Sequence, residues 1–131
     1  MANFRLHIIT PDRVFFDEEA SMVEFNTTEG EIGIYANHIP LTTIIAPGIL
    51  TIRMEGEAKE AALHSGFVEI LPDKVTIMAE AIEWPEEIDV NRANESLERA
   101  KDRLASHDSA IDLARAQTSL YRAMARLALK K

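Results

Sequence analysis

Apolar and polar residues alternate with a period of two over roughly the first 80 residues. Phe4, Leu6 and Ile8 alternate with polar neighbours, and Val23 and Phe25 flank a glutamate in the same way. Residues typical of turns recur at short intervals, at Pro11-Asp12, Glu29-Gly30, Asn37, Pro47-Gly48, Glu55-Gly56, Ser65-Gly66 and Pro72-Asp73. Many short amphipathic strands separated by turns predict an antiparallel β-sandwich or a flattened barrel.

The period changes after Trp84-Pro85. An apolar stripe in steps of three and four predicts one amphipathic helix with Asp89 as its N-cap. That stripe consists of Val90, Ala93, Leu97, Ala100 and Leu104. A second stripe predicts another helix and consists of Leu113, Ala116, Leu120, Met124 and Leu127. Between them the stretch SHDS, with Ser109 and Asp112 as a weak capping box, predicts a turn and therefore an antiparallel helical hairpin.

Net charge changes sign where the period changes. Residues 1–87 carry 5 basic and 16 acidic side chains (net −11), and residues 88–131 carry 9 and 6 (net +3), which together give −8. We therefore predict two domains, a sandwich at residues 1–85 and a helical arm at residues 86–131. The overall charge argues against non-specific binding to nucleic acid or anionic membranes. The absence of cysteine excludes disulfides, zinc–thiolate sites and cysteine nucleophiles.

The predicted interface between the two helices is thin, because much of it is alanine. We expect the arm to need the sandwich or another partner for stability, since so little apolar area is buried between its helices. A marginally stable appendage on a firm domain is typical of a conformational switch. Trp84-Pro85 is the predicted hinge, with the proline ending the last strand and the large ring anchoring the linker.

Arginines recur with the same spacing on both predicted helices. Positions separated by seven and by eleven share one helix face. The two rows are Arg92, Arg99 and Arg103, and Arg115, Arg122 and Arg126. One interpretation is a solvated face with i,i+4 pairs such as Glu95–Arg99, but residues 113–131 contain no acid to pair with the second row. The others are a polyphosphate bound between closed helices and, in an open arm, docking on an acidic surface elsewhere.

Three stretches together resemble the ε subunit of bacterial F-type ATP synthases. They are TTEGEIGIYANHIPLTTIIAPGIL at residues 27–50, SGFVEI at 65–70 and VTIMAEA at 75–81, and the resemblance extends over essentially the whole chain. It implies an α+β protein with an N-terminal antiparallel β-sandwich of about ten strands followed by a C-terminal antiparallel helical hairpin. It also implies a non-catalytic subunit, peripheral on the cytoplasmic face of the bacterial cell membrane.

The resemblance further implies partners for each domain. The sandwich would bind the γ subunit of the central stalk and sit on the c-ring, with Glu29, Glu31 and His38 near both. The arm would fold on the sandwich or extend along γ toward the α/β catalytic head, where it inhibits ATP hydrolysis. Arg103 and Arg115 are candidates for contacts with these partner subunits.

A short motif implies a regulatory ligand. Bacillus-type members of that family carry an ATP-binding motif, [Ile/Leu]-Asp-x-x-Arg-Ala, and residues 88–93 match it completely. Positions corresponding to the rest of that family's site are occupied by Glu83, Arg99, Arg122 and Arg126. The resemblance implies that Ile88, Asp89 and Ala93 face the adenine and that Arg92 and the other arginines face the phosphates, with or without magnesium. Bound ATP would then hold the arm folded.

Two other functions remain open from the sequence. The arm could be an inhibitory element of an ε-type subunit that binds no ATP, or the chain could be a stand-alone nucleotide-sensing adaptor. Catalysis by the acids Asp17, Glu18 and Glu19 is disfavoured, because no partner base or apolar pocket accompanies them. His38 lacks a second nearby ligand, so we predict no metal site in the protein.

Overall fold

The computed structural model describes residues 2–106 and 113–130. Within these ranges the chain forms eight β-strands, one 3-10 turn and two α-helices. In chain order they are β1 (Phe4–Ile9), β2 (Val14–Ala20), β3 (Met22–Thr27), β4 (Gly30–Tyr35), β5 (Leu41–Ile45), β6 (Gly48–Met54), β7 (Glu57–Ile70), β8 (Lys74–Glu83), the turn Pro85–Glu87, α1 (Val90–Ser106) and α2 (Leu113–Lys130).

The predicted sandwich is confirmed, with eight strands in the described ranges instead of ten. The difference lies partly in β7, whose 14 residues pair with β6 over their first half and with β5 over their second half. We predicted a turn at Ser65-Gly66, but the strand continues through both residues with φ of 49° and 132°. A Cβ at residue 66 would collide with the backbone carbonyl of Met78, so this kink requires glycine.

The strand pairing also departs from a purely antiparallel arrangement. β8 pairs with β7 in the antiparallel sense, but it pairs with β1 in the parallel sense, from Arg5 opposite Lys74 to Ile9 opposite Met78. The alternating apolar positions of the strands point into one core, as their pattern predicted. Its largest fully buried side chains include Phe4, Leu6, Ile8, Phe25, Ile34, Leu50, Ile52 and Ile77.

The linker after β8 is fixed to the sandwich. The Trp84 ring stacks on Phe15 at 4.2 Å between centroids, and the Arg13 guanidinium lies 5.0 Å from the Phe15 ring. The Glu87 carboxylate accepts hydrogen bonds from the Trp84 backbone N–H (2.8 Å) and from Arg13 (2.9 Å). The predicted anchoring role of Trp84 is confirmed, whereas the hinge at Trp84-Pro85 stays a prediction.

Both predicted helices are present and pack against each other, and α2 also contacts β6 and β7. Asp89 caps α1, with its Oδ1 accepting a hydrogen bond from the Arg92 backbone N–H (3.1 Å). Only alanines are fully buried along the helices, namely Ala93, Ala100, Ala116, Ala123 and Ala125. Three members of the predicted stripes, Val90, Leu113 and Met124, are exposed. The interface is therefore as thin as predicted.

Two predictions fall wholly or partly outside the described residues. The capping box of Ser109 and Asp112 lies there, and so does most of the predicted turn. Neither described helix is long and apolar enough to cross a membrane.

Candidate functional site

A cavity of about 290 Å³ lies where the linker, α1 and α2 meet. Six of the eight residues predicted to bind ATP line it, together with two that were not predicted. The lining residues are Glu83, Glu87, Asp89, Arg92, Ala93, Ser96, Arg99 and Arg126. The lining residues come from β8, the 3-10 turn and both helices, so the cavity exists only while the arm lies folded on the sandwich.

The cavity holds three guanidinium groups, and their pairing differs. The Arg99 guanidinium donates a hydrogen bond to Ser96 Oγ at 3.1 Å. The Glu95–Arg99 ion pair considered from the sequence is therefore not the contact that Arg99 makes. Within the described residues neither Arg92 nor Arg99 forms an ion pair with a carboxylate. Both residues are exposed on α1. These two are therefore the cations of the cavity that remain available to an anionic ligand.

The three carboxylates of the cavity already have partners. Glu87 is paired with Arg13, and Asp89 serves as the N-cap of α1. Glu83 Oε1 accepts hydrogen bonds from Arg126 Nε (2.6 Å) and from His64 Nε2 (2.9 Å). The acids therefore orient the linker and the helices, and Glu83 and Glu87 are each engaged with an arginine.

Glu83 is a charged group held in a partly buried position. Burial by itself would raise the pKa of the Glu83 carboxyl, but the hydrogen bonds from His64 and Arg126 outweigh burial and lower the pKa to about 2. His64 is fully buried. Burial lowers the pKa of His64 below its usual range, and Arg126 acts in the same direction against the hydrogen bond to Glu83. A neutral His64 therefore donates a hydrogen bond from its Nε2–H group to an ionised Glu83.

Two predicted ATP-binding residues do not line the cavity. Ile88 is buried beside it. Arg122 instead donates to Glu80 Oε2 at 2.8 Å and to Ser65 Oγ at 3.3 Å. The sequence allowed the second arginine row to dock on an acidic surface. For Arg122 and Arg126 that surface is the sandwich of the same chain. The acid-free sequence of α2 together with the acids near the end of β8 was the signal that could have predicted this.

The residues predicted to contact partner subunits lie apart from the cavity. Glu29 and Glu31 are exposed around the turn between β3 and β4, and His38 is half-buried, with its Nδ1 bonded to the Ile39 carbonyl at 2.7 Å. Arg103 lies on the exposed surface of α1, and Arg115 on that of α2. No cluster of three or more possible metal ligands occurs within residues 2–106 and 113–130.

Comparison with known sequences identifies the family. The β-sandwich domain of the ATP synthase delta/epsilon chain matches residues 3–85, and the long α-helix domain of the same chain matches residues 86–131. The chain belongs to the ATP synthase delta/epsilon family. The resemblance seen in the sequence is thereby confirmed.

Relatives within the delta/epsilon family match over nearly the whole chain. The ATP synthase epsilon chain of Ruminiclostridium cellulolyticum is 44% identical over 98% of this chain and 96% of its own length. That of Shouchella clausii is 44% identical over 100% of this chain and 97% of its own. A chain in the mitochondrial ATP synthase of Euglena gracilis, in a structure of OSCP, F1 and c-ring, has a TM-score of 0.86 at 26% identity, over 98% of this chain and 81% of that one.

A more distant solved structure shares the fold. A chain of the central stalk and c-ring of the Tetrahymena thermophila mitochondrial ATP synthase has a TM-score of 0.67 at 15% identity, over 98% of this chain and 96% of that one. The fold of this chain therefore recurs in chains of two mitochondrial ATP synthases.

Proposed function

We propose that this chain is the non-catalytic ε subunit of a bacterial F-type ATP synthase and that its helical arm senses ATP. Membership of the delta/epsilon family supports the subunit assignment, and so does the likeness to a chain solved together with F1 and c-ring. The sandwich contacts γ and the c-ring, and the released arm reaches the α/β head. The subunit is peripheral on the cytoplasmic face of the membrane and joins it only through the complex.

The observation that carries ATP sensing is the convergence of arginines from both helices on one cavity. Arg92 and Arg99 of α1 face it without carboxylate partners among the described residues, and Arg126 of α2 lines the same cavity. Guanidinium groups match the geometry of phosphate oxygens and bind them bidentately. The volume of about 290 Å³ lies at the small end of the range for ligand sites, so ATP would fill it and extend into solvent.

The two helices are proposed to run antiparallel. Arg126 lies near the end of α2, and it lines the same cavity as Asp89 and Arg92 at the start of α1. This direction lets one ligand touch both helices. Such a ligand binds only the folded arm, so it stabilises that conformation by RT ln(1 + [L]/Kd).

The division of the site follows from its lining. Ala93 leaves space at the start of α1, and with Asp89 and the neighbouring Ile88 it forms the side proposed for the adenine. Arg92, Arg99 and Arg126 form the side proposed for the triphosphate, with or without magnesium. Glu83 holds Arg126 in place through the 2.6 Å hydrogen bond.

ATP sensing gives the arm a regulatory role. At high ATP the ligand holds the arm on the sandwich, and the synthase is free to turn. At low ATP the thin alanine interface holds the arm only weakly, and the arm is released to inhibit ATP hydrolysis. The subunit performs no chemistry itself, since its effect is a shift between two conformations.

A second candidate is an ε subunit whose arm inhibits without binding ATP. Pairing of Arg122 with Glu80 and of Arg126 with Glu83 favours it, because the sandwich already supplies anions to part of the second arginine row. In this case the folded arm is a resting position that needs no ligand. Arg92 and Arg99 would then contact partner subunits.

Calorimetric titration of the full chain with ATP and with ADP distinguishes the two. We expect saturable binding that prefers ATP and is weakened at least tenfold by Arg92→Ala or Arg126→Ala, since each removes one charge-assisted contact. Arg103→Ala is the matched control, because Arg103 lies on α1 outside the cavity. Absence of binding up to millimolar ATP would favour the second candidate.

A further inference from the structure

We propose that His64 is a positioning residue of the nucleotide site, that it holds Glu83 and, through Glu83, Arg126 in place for ATP, and that a proton on its ring releases the arm. The inference rests on the proposed function, because it adds a residue and a second input, the proton, to the same site. The sequence motif of that site did not include His64.

His64 lies on the face of β7 that the arm covers. Ala61 and Leu63 belong to the core of the sandwich, so Ala62 and His64 lie on the opposite face of the strand. Both are nevertheless fully buried. Because α2 packs against β7, the burial of this outer face depends on the folded arm. Release of the arm therefore opens His64 to water.

His64 acts on the nucleotide site through Glu83. Its Nε2 lies 2.9 Å from Glu83 Oε1, and Arg126 Nε donates to the same oxygen. Glu83 and Arg126 both line the cavity. The Nε2–H group of the neutral ring fixes the direction of the carboxylate, and the carboxylate in turn fixes the guanidinium that faces the ligand.

The folded arm offers no place for a second proton on the ring. Nδ1 of His64 is buried and has no hydrogen-bond partner within the described residues. A proton on Nδ1 would be a buried donor without an acceptor, which destabilises the folded arm. It would also add a cation beside Arg126. The geometry therefore selects the neutral ring while the arm is folded.

The charged groups around the ring favour the neutral form as well. Burial lowers the pKa of His64, and Arg126 and Arg122 of α2 act in the same direction against the hydrogen bond to Glu83 of β8. Glu80 of β8 is paired with Arg122. The linker and α1 bring the remaining charged groups of the cavity, which are Glu87, Asp89, Arg92 and Arg99.

The neighbouring strands add no titratable group beside the ring. His64 itself is paired with Ala81 of β8. The adjacent residue Leu63 is paired with Gly48 of β6, and Gly66 is paired with Ile45 of β5. Protonation of His64 is therefore governed by Glu83, by the arginines of α2 and by the position of the arm.

ATP and the proton bind different positions of the arm. ATP requires the folded arm, whereas His64 accepts a proton most readily when the arm is released and the ring meets water. Each of the two ligands therefore weakens binding of the other. The contribution of the neutral ring is fully present above its ordinary pKa of about 6.5 and is lost as pH falls below that value.

The first test measures arm position in the full chain without nucleotide between pH 8 and pH 5.5, above the usual pKa of carboxylates. The chain contains no cysteine, so spin labels can be attached at Glu55→Cys in the turn between β6 and β7 and at Lys101→Cys on α1. Both positions are exposed. We expect the ratio of folded to released arm to fall about three- to tenfold, since one unit below a pKa of 6.5 limits the effect to about tenfold.

Two histidine variants assign this pH dependence. His64→Gln keeps a donor toward Glu83 and does not titrate, so its ratio should stay constant over the same range. His7→Gln is the matched control, because it removes a histidine of β1 that lies outside the cavity. The His7→Gln variant should show the same pH dependence as the parent.

A second test measures ATP binding by calorimetry at pH 8, where the ring is neutral. His64→Leu keeps a buried side chain but removes the donor, so we expect ATP binding to weaken by about threefold or more. His64→Gln restores the donor and should bind within about twofold of the parent. At lower pH the comparison of His64→Gln with the parent cancels proton uptake by the triphosphate itself, since a phosphate group titrates near pH 6.

Two outcomes would overturn the proposal. A pH dependence of arm position that is equal in His64→Gln and the parent would exclude the proton switch. ATP affinity of His64→Leu equal to that of the parent at pH 8 would exclude the positioning role. If the parent binds no ATP, the proposed function and the positioning role fail together, yet the nucleotide-free profiles still decide whether a proton on His64 releases the arm. Circular dichroism of each variant confirms that the helices and strands are retained.

Discussion

Arg126 Nε donates a 2.6 Å hydrogen bond to Glu83 Oε1, which joins the end of α2 to the end of β8. The same carboxylate oxygen accepts a hydrogen bond from the buried His64. One acid therefore connects the core of the sandwich to the helical arm. Since the interface between the helices is mostly alanine, we expect this connection to contribute much of the stability of the folded arm.

Loss of the Glu83 charge should release the arm. Glu83→Gln leaves Arg126 without its ion pair, and charged hydrogen bonds contribute about 1.5–3 kcal/mol each, less where water screens them. We expect a loss of about 1–2 kcal/mol in the free energy of unfolding of the arm, measured by urea denaturation followed through helix content. Glu69→Gln is the control for a change of one exposed charge. Equal denaturation curves for the Glu83→Gln variant and the parent would contradict this.

Acid should destabilise the folded arm in two steps. The folded-state pKa of His64 is lowered, so its neutral form is favoured when folded, and stability falls as pH drops below the unfolded value of about 6.5. The folded-state pKa of Glu83 is also lowered, to about 2, so its contribution is present above the unfolded value of about 4.3 and is lost as pH falls toward 2.

Thermal unfolding at a series of pH values measures both steps. We expect Tm to fall between pH 7 and pH 5.5, and further below pH 4.3. His64→Gln keeps a side-chain donor toward Glu83 but does not titrate, so its Tm should lose the first step and keep the second. A first step of equal size in the His64→Gln variant would assign the pH dependence to other groups.

The fixed linker predicts where the arm pivots. Trp84 is the only tryptophan, and its ring stacks on Phe15 of the sandwich. If the pivot lies after Glu87, the emission maximum of Trp84 should stay constant while the arm folds and opens. Phe15→Ala, which removes the stacked ring, should shift the emission. A shift that follows arm position in the parent chain would place the hinge at Trp84-Pro85, as the sequence predicted.

Gly66 should tolerate substitution less well than another glycine of positive φ. Gly66 has a φ of 132° and no room for a Cβ, whereas Gly56 has a φ of 71° and open space around it. We expect Gly56→Ala to lower the free energy of unfolding by about 1 kcal/mol and Gly66→Ala by about 3 kcal/mol or more. Urea denaturation of both variants provides the comparison. Equal losses would show that the kink of β7 can relax around a side chain.

The sequence predicted the strands and helices because each buries one face. The alternation at Phe4, Leu6 and Ile8 depends only on the two faces of a strand, so it could be read without knowing the partner strand. The strand number could not be predicted from turn residues. Ser65-Gly66 has the composition of a turn, but the cross-strand contacts of β7 with β8 carry the strand through it.

The cavity was predicted better than the contact between Arg122 and Glu80 for a similar reason. Residues 88–93 are contiguous and begin a helix, so their proximity is local. The pairing of Arg122 with Glu80 joins residues 42 positions apart, and it depends on how α2 lies against β7 and β8. Charge totals indicated that the arm was basic and the sandwich acidic, but they did not indicate which arginine met which carboxylate.

The most direct test of the central claim, that ATP holds the arm folded, is the distance between spin labels at Glu55→Cys and Lys101→Cys as ATP is added to the full chain. We expect one distance, that of the folded arm, to gain population with a saturable dependence on ATP, and we expect Arg92→Ala to require at least tenfold more ATP for the same change. A distance distribution that does not change up to millimolar ATP would contradict the claim and would leave the arm as an inhibitory element without a nucleotide sensor.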